Sequence, residues 1–334
     1  MRFITAGRVL AAGGVLAVVV VALWVFPSSE YIFLPDRAHP VAPLVSVQGG
    51  HNPKSGSVYF VDVIVRKATI LERLFGGLHK GAQLFPASEI DPPGTTSTER
   101  TNIDLQDMRR SQQIAAAVAL KALGRKVVLR PIGALVEDVA SGAPADGKLV
   151  PDDVITAVNG RRVTTPREVS TATSKGTIGG IVKFTITRDG KTLLESMHTV
   201  AGTNPRRPIV GIFLEPATDI RLPIRVNIDA GNIGGPSAGL AFALEVMEKL
   251  GRDVVHGHKI AATGEIFPDG SVGPIGGIKQ KVIGAREAGV DAFLVPAGEN
   301  ARDARKDADG LRIIAVHNFQ QALHALATLP VSTS

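Results

Sequence analysis

The chain has 334 residues, 44% hydrophobic and 20% charged, with 36 glycines, 21 prolines and no cysteine. That composition excludes a disordered chain and any disulfide scaffold, and the length accommodates two or three domains with cores of their own. The net charge of +6 is scattered over small groups such as Arg109-Arg110, Lys121/Arg125/Lys126 and Arg206-Arg207; without interleaved aromatics these read as solvated faces, with no nucleic-acid partner expected.

Val9 to Phe26 is a run of eighteen apolar or glycine residues, preceded by Arg2 and Arg8 and followed by Glu30, Asp36 and Arg37. Its length and flanks predict a transmembrane helix over residues 1–29, with the N-terminus cytoplasmic and residues 30–334 beyond the cell membrane as a single-pass protein. A cleaved signal peptide is the rival reading, disfavoured because no small-x-small site follows before Pro27. Residues 27–57, rich in Pro, Gly and Ser, read as a tether. Val58–Val65 alternates as a strand, Ile70–Leu78 reads as a short helix, and Gln83–Thr101, with Pro86, Pro92, Pro93 and Gly94, as a loop. Asn102–Leu123 reads as a helix stopping at Gly124. Residues 30–125 are assigned no chemistry beyond packing.

The C-terminal third carries the chemistry. Leu240 to Leu250 is a strongly apolar helical run with Gly251 as its stop, and Pro236 suits its first position. Ser237 then lies in the first turn, where unpaired N–H groups and the helix dipole favour negative charge and would stabilise an oxyanion. Gly235 lets a substrate backbone approach closely. The plainer reading of this serine is a helix cap. After Gly277 a second helix carries two lysines. Lys279 shares a face with Arg286, near Gln280 and Glu287, and reads as solvated; Lys281 shares one with Ala285 and Ala288 and reads as buried. Burial disfavours the ammonium, so Lys281 could take a proton from Ser237 near neutral pH; the plainer reading is a lysine snorkelling from a half-buried face. His256-Gly-His258 reads as a surface turn, since no further ligand cluster follows; no metal and no cofactor are expected.

Gly235-Pro236-Ser237-Ala238-Gly239, Thr263-Gly264-Glu265-Ile266 and Pro274-Ile275-Gly276-Gly277-Ile278-Lys279-Gln280-Lys281 together resemble the proteolytic domain of Lon proteases, over roughly 205–330. The stretch Val290–Asp303, with Pro296, Asn300 and Asp303, continues the likeness. The resemblance implies Ser237 as nucleophile and Lys281 as base, with Thr263, Gly235 and Pro236 in support. It also implies peptide or unfolded-protein substrates and a homo-oligomeric ring. One departure is Ile233-Gly234, where many of the family carry a charged residue. Another is the ATPase module usual in the family, for which this chain has no evident room. Gly142-Ala143-Pro144-Ala145-Asp146-Gly147-Lys148-Leu149 approaches a phosphate-loop pattern but ends in leucine, where magnesium needs Ser or Thr. That segment, with Gly133-Ala134-Leu135-Val136, Asp152-Asp153-Val154-Ile155 and Val158-Asn159-Gly160, instead resembles a bacterial PDZ domain over 126–202. The likeness implies a groove that adds a peptide as a β-strand, with Gly133, Ala134 and Leu135 as the peptide-binding loop.

The expectation is an α+β multidomain chain: a transmembrane helix over 1–29, a tether and α/β region over 30–125, a PDZ domain over 126–202 and a Lon-like proteolytic domain over 203–330. Its expected activity is that of an ATP-independent, membrane-anchored serine endopeptidase. The rivals are a membrane-tethered PDZ scaffold with an inert protease domain, and a small-molecule kinase of the GHMP type. The latter rests on Gly231–Gly239, whose glycine-serine run is interrupted by Pro236.

Overall fold

The computed structural model describes residues 6–53, 55–90, 97–202 and 207–330; Arg2, Pro92, Pro93, Gly94 and Arg206 lie outside the described residues. The chain divides into two compact units. One comprises 1–95, 227–229 and 236–334; the other comprises 96–226 and 230–235. The first unit is therefore discontinuous, where the sequence reading set successive blocks with limits at 125 and 202.

The first unit opens with α1 (Ala6–Val25), β1 (Pro27–Pro40), β2 (Val45–Val47), β3 (Ser57–Thr69), α2 (Ile70–Leu74), β4 (Gln83–Pro86) and α3 (Ala87–Ile90). Among the described residues no helix is long and apolar enough to cross a membrane. This corrects the expected transmembrane helix and the single-pass membrane location. α1 runs into β1 with only Phe26 between them, and the Phe26 carbonyl accepts from Ile70 N–H at the start of α2 at 3.0 Å. The expected tether is also largely strand. β1 pairs antiparallel with β3, with register shifts at Pro27/Tyr31 and Pro35/Ala38, and with β4 on its other side. Its prolines, which argue against a strand, stand at its two ends and at a shift, where no ladder N–H is missed. At the turn into α2, Thr69 and Glu72 form a reciprocal capping box.

The second unit contains α4 (Ser97–Ala122), β5 (Val128–Val139), β6 (Val154–Val158), β7 (Arg161–Arg162), α5 (Pro166–Ser174), β8 (Ile181–Arg188), β9 (Lys191–His198), β10 (Val200–Ala201), β11 (Pro208–Ile209) and β12 (Ile212–Arg221). Its sheet runs in the order β12-β5-β6-β8-β9, with β7 on β6. β12 pairs with β5 along its whole length, so this sheet continues past the expected limit at 202. Val136, Ile155, Phe184 and Ile186 form its core, with Val169 of α5 covering them.

The chain then returns to the first unit with β13 (Val226–Ile228), a 3-10 turn (Pro236–Ala238), α6 (Gly239–Lys249), β14 (Lys259–Ala262), β15 (Glu265–Ile266), β16 (Val272–Gly273), α7 (Ile278–Glu287), β17 (Ala292–Pro296), α8 (Glu299–Lys306), β18 (Arg312–Val316) and α9 (Phe319–Ala327). A six-stranded sheet has the order β18-β17-β14-β3-β1-β4, with β14 parallel to both β17 and β3. The sheet is thus completed by strands from the two ends of the chain. α6 is buried from end to end, with Phe242 packed on Phe60 of β3. α7 packs with Val282 and Ala285 against Val61 and Phe293. Gly284 lets α7 lie directly on the strands, because a Cβ there would drive into the Asp36 carbonyl oxygen and the Val61 side chain.

Candidate active site

Ser237 is the middle residue of the 3-10 turn that feeds α6. Gly235, at φ 82°, makes the bend before it, and its N–H is committed to the Asp104 carbonyl at 2.7 Å. Gly235 therefore shapes the turn and is no free donor for an oxyanion. The N-cap of α6 is Ala238, with no side-chain capping bond, so the plainer reading of Ser237 as the cap fails. Its hydroxyl is engaged elsewhere: Lys281 Nζ donates to Ser237 Oγ at 2.8 Å.

The turn is laced to the end of β14. Gly264 N–H donates to the Ser237 carbonyl at 2.8 Å, Leu240 N–H donates to the Gly264 carbonyl at 3.1 Å, and Thr263 N–H reaches Leu294 of β17 at 3.0 Å. Thr263 Oγ1 also donates to the Ser237 carbonyl at 3.2 Å and accepts from Lys281 Nζ at 3.4 Å. Lys281, Ser237 and Thr263 thus meet at one point, held by α7, the α6 turn and β14.

Lys281 is 4% exposed. Burial pulls its pKa down to about 8, opposed by the negative charge of Asp62. Among the described residues no carboxylate forms an ion pair with it. Both hydroxyls are neutral, so they orient the amine without holding its proton. Asp62 belongs to a group that sequence reasoning missed: His39 Nε2 lies 3.4 Å from Asp36 Oδ2 and 3.5 Å from Asp62 Oδ1. Burial first, then the charge of Asp36, raises the Asp62 pKa, against the pull of His39. The only sequence signal was an acidic residue in an otherwise apolar strand. These three could offer a metal one ligand atom each, but an imidazole between two carboxylates already accounts for the arrangement. The His256-Gly-His258 pair diverges. His256 sits by Asp253, while His258 is buried, its Nε2 2.6 Å from the Pro330 carbonyl.

Lys279 remains partly exposed. Gln280, read as lying near the solvated face, is fully buried; its Nε2 donates to the Gly81 carbonyl at 2.8 Å and to Gln83 Oε1 at 3.0 Å.

In the second unit, Gly133, Ala134 and Leu135 do not form a loop. They lie inside β5, with β12 on one side and β6 opposite Ala134 and Leu135 on the other. Both strand neighbours are present, so this backbone has no open edge for a peptide. The open groove, of about 620 Å³, lies instead between α5 and the run from Arg207 to Leu214, lined by Val169, Ser170, Thr173, Ile209, Ile212 and Leu214. β12 is the edge strand of its sheet. The Gly142–Leu149 segment is a series of turns in which Ala145 and Leu149 are core residues, and Lys148 Nζ is bonded to the Ser196 carbonyl. That is no phosphate cradle.

Residues 156–328 match the family described as the Lon protease (S16) C-terminal proteolytic domain, and residues 104–197 match the PDZ domain family. The Lon protease of Rickettsia typhi is 35% identical over 132 residues, which cover 38% of this chain and 17% of that protein. Lon protease 2 of Bacillus subtilis is 36% identical over 108 residues, covering 32% of this chain and 19% of that protein. The chain thus spans less than a fifth of the length of these relatives. Among solved structures, the PDZ domain of the SdrC-like protein from Listeria innocua is 26% identical and covers 25% of this chain and 92% of its own, with a TM-score of 0.24.

Proposed function

We propose, since the chain belongs to the family of the Lon protease (S16) C-terminal proteolytic domain and carries a PDZ domain, that it is a serine endopeptidase acting through Ser237 and Lys281. The observation that carries this reading is a 2.8 Å contact between the serine hydroxyl and a lysine amine whose pKa burial has drawn to about 8. At pH 7 on the order of a tenth of such amines are neutral. In that form the hydrogen bond reverses, and the hydroxyl donates to the amine lone pair.

In the proposed cycle Ser237 Oγ attacks the peptide carbonyl carbon while its proton passes to Lys281 Nζ. The oxyanion forms at the start of α6, where N–H groups lack intrahelical partners, that of Leu240 excepted because it is already bonded to the Gly264 carbonyl. Collapse expels the amine, which takes the proton back from Lys281. The neutral lysine then deprotonates a water that attacks the acyl-serine ester, and returns that proton to Ser237 Oγ as the acid product leaves. Thr263 keeps the amine aimed at Oγ, and Gly235 and Pro236 shape the serine's turn.

Substrates enter as extended chains. A peptide C-terminus adds along β12 in the groove against α5, which replaces Gly133–Leu135 as the recognition element. The chain needs no nucleotide for peptide cleavage: its one phosphate-loop-like segment is spent on turns and core.

The test is cleavage of unfolded casein without ATP. The wild-type chain should cleave, and Ser237→Ala and Lys281→Ala should each abolish cleavage with the fold retained by circular dichroism. Full activity in either variant sinks the dyad. Peptide binding without hydrolysis by the wild type would favour a scaffold, and turnover that requires ATP would overturn nucleotide independence.

A further inference from the structure

We propose that Asn300 is a positioning residue for Lys281, its side-chain amide acting as a two-point clamp that fixes where α7 begins. The inference rests on the reading of Lys281 as the base.

The approach to α7 is Pro274-Ile275-Gly276-Gly277, whose two glycines give it wide backbone freedom. The N-cap is Gly277 in the left-handed region, with no side-chain capping bond. Nothing within the segment's own sequence fixes the helix entry. Asn300 supplies that from the first turn of α8. Its Oδ1 accepts from Ile275 N–H at 2.9 Å, and its Nδ2 donates to the Ile275 carbonyl at 2.8 Å. One planar amide therefore satisfies both polar groups of one residue, as a neighbouring strand would, and fixes orientation as well as position.

The clamp is itself anchored, because Ala301 and Ala304 of α8 lie in the core beside Val282 and Ala285 of α7. Its effect reaches the lysine within one turn, through Lys281 N–H to the Gly277 carbonyl at 3.0 Å. The chemistry selects asparagine. Aspartate would keep the acceptor but set a second oxygen against the Ile275 carbonyl, and alanine would leave both groups unpaired. A slackened entry lets Nζ drift from the serine and from its dry site, and a displacement of about 1 Å costs on the order of a hundredfold in rate.

The experiment compares wild type, Asn300→Asp and Asn300→Ala with Asn318→Ala, which removes an unrelated helix cap on α9 and controls for destabilisation alone. Two quantities are read: kcat and KM on casein per folded molecule, and the titration midpoint of Lys281 by NMR of its Cε, which does not depend on turnover. Both Asn300 variants should lose about 10–100-fold in kcat with KM within about twofold. Their Lys281 midpoint should rise from about 8 towards its ordinary 10.5, while Asn318→Ala moves neither. The clamp is overturned if the midpoint stays near the wild-type value in both Asn300 variants, or if kcat per folded molecule is unchanged. A wild type without casein cleavage fails the dyad reading instead, and the NMR midpoint still decides the clamp.

Discussion

A buried lysine at the centre of a site makes its own pH signature. Lys281 has a folded-state pKa near 8, against an ordinary 10.5, because burial penalises the ammonium. Hydrolysis should therefore climb tenfold per pH unit below about 8 and level off above it, read as log kcat/KM against pH. The stability effect has a definite sign. Between about 8 and 10.5 the unfolded chain holds a proton that the folded chain lacks, so stability rises with pH across that window. Below it, burying the charged amine costs on the order of 3 kcal/mol. Lys281→Met should accordingly raise the urea midpoint at pH 7, and that gain should fade by about pH 11. Which of the two lysines is buried is legible in the sequence, because helical phase places Ala285 and Ala288 with Lys281. Gln280 and Asn300 are not legible in this way: each goes inside to meet a backbone partner, and those partners, Gly81 and Ile275, are brought to them by the fold and not by helical phase.

At the scale of elements, α7 sits where it does because Gly284 carries no side chain. Gly284→Ala would push the helix off Asp36 and Val61, with an expected loss of about 1–3 kcal/mol in urea unfolding and at least a tenfold drop in casein turnover. In the other unit, Ser170→Arg would place a long side chain in the groove beside β12. KM for casein should rise several-fold while cleavage of short capped peptides is unchanged; equal effects on both would remove that groove from substrate capture. The helices of the site are legible from their apolar periodicity and glycine stops. β1 is not, since three prolines mask a strand whose hydrogen bonds they happen not to interrupt. Gly133–Leu135 misleads in the opposite way: a loop-like glycine there serves close strand packing, where a Cβ would meet the Ile155 carbonyl.

For the whole molecule, the governing fact is that β14 lies between β3 and β17. A fragment of residues 227–334 keeps Ser237, Thr263 and Lys281 yet lacks β1, β3 and β4, so it should show no cooperative melt by circular dichroism, whereas residues 27–334 should. Sequence blocks miss this because a parallel pairing leaves no turn signal between its partners. The same pairing sets an order of events during synthesis. β3 is made early and its partner β14 leaves the ribosome about two hundred residues later, on the order of ten to forty seconds at ~5–20 residues per second. The PDZ-bearing unit is translated in that interval and can fold while β3 waits. Lys281 arrives later still, on a helix that has no seat until the sheet is closed. With Ser237 and Lys281 acting as proposed, the nascent chain would carry its serine for some time without a base, and could not digest its neighbours on the polysome before its own fold is finished.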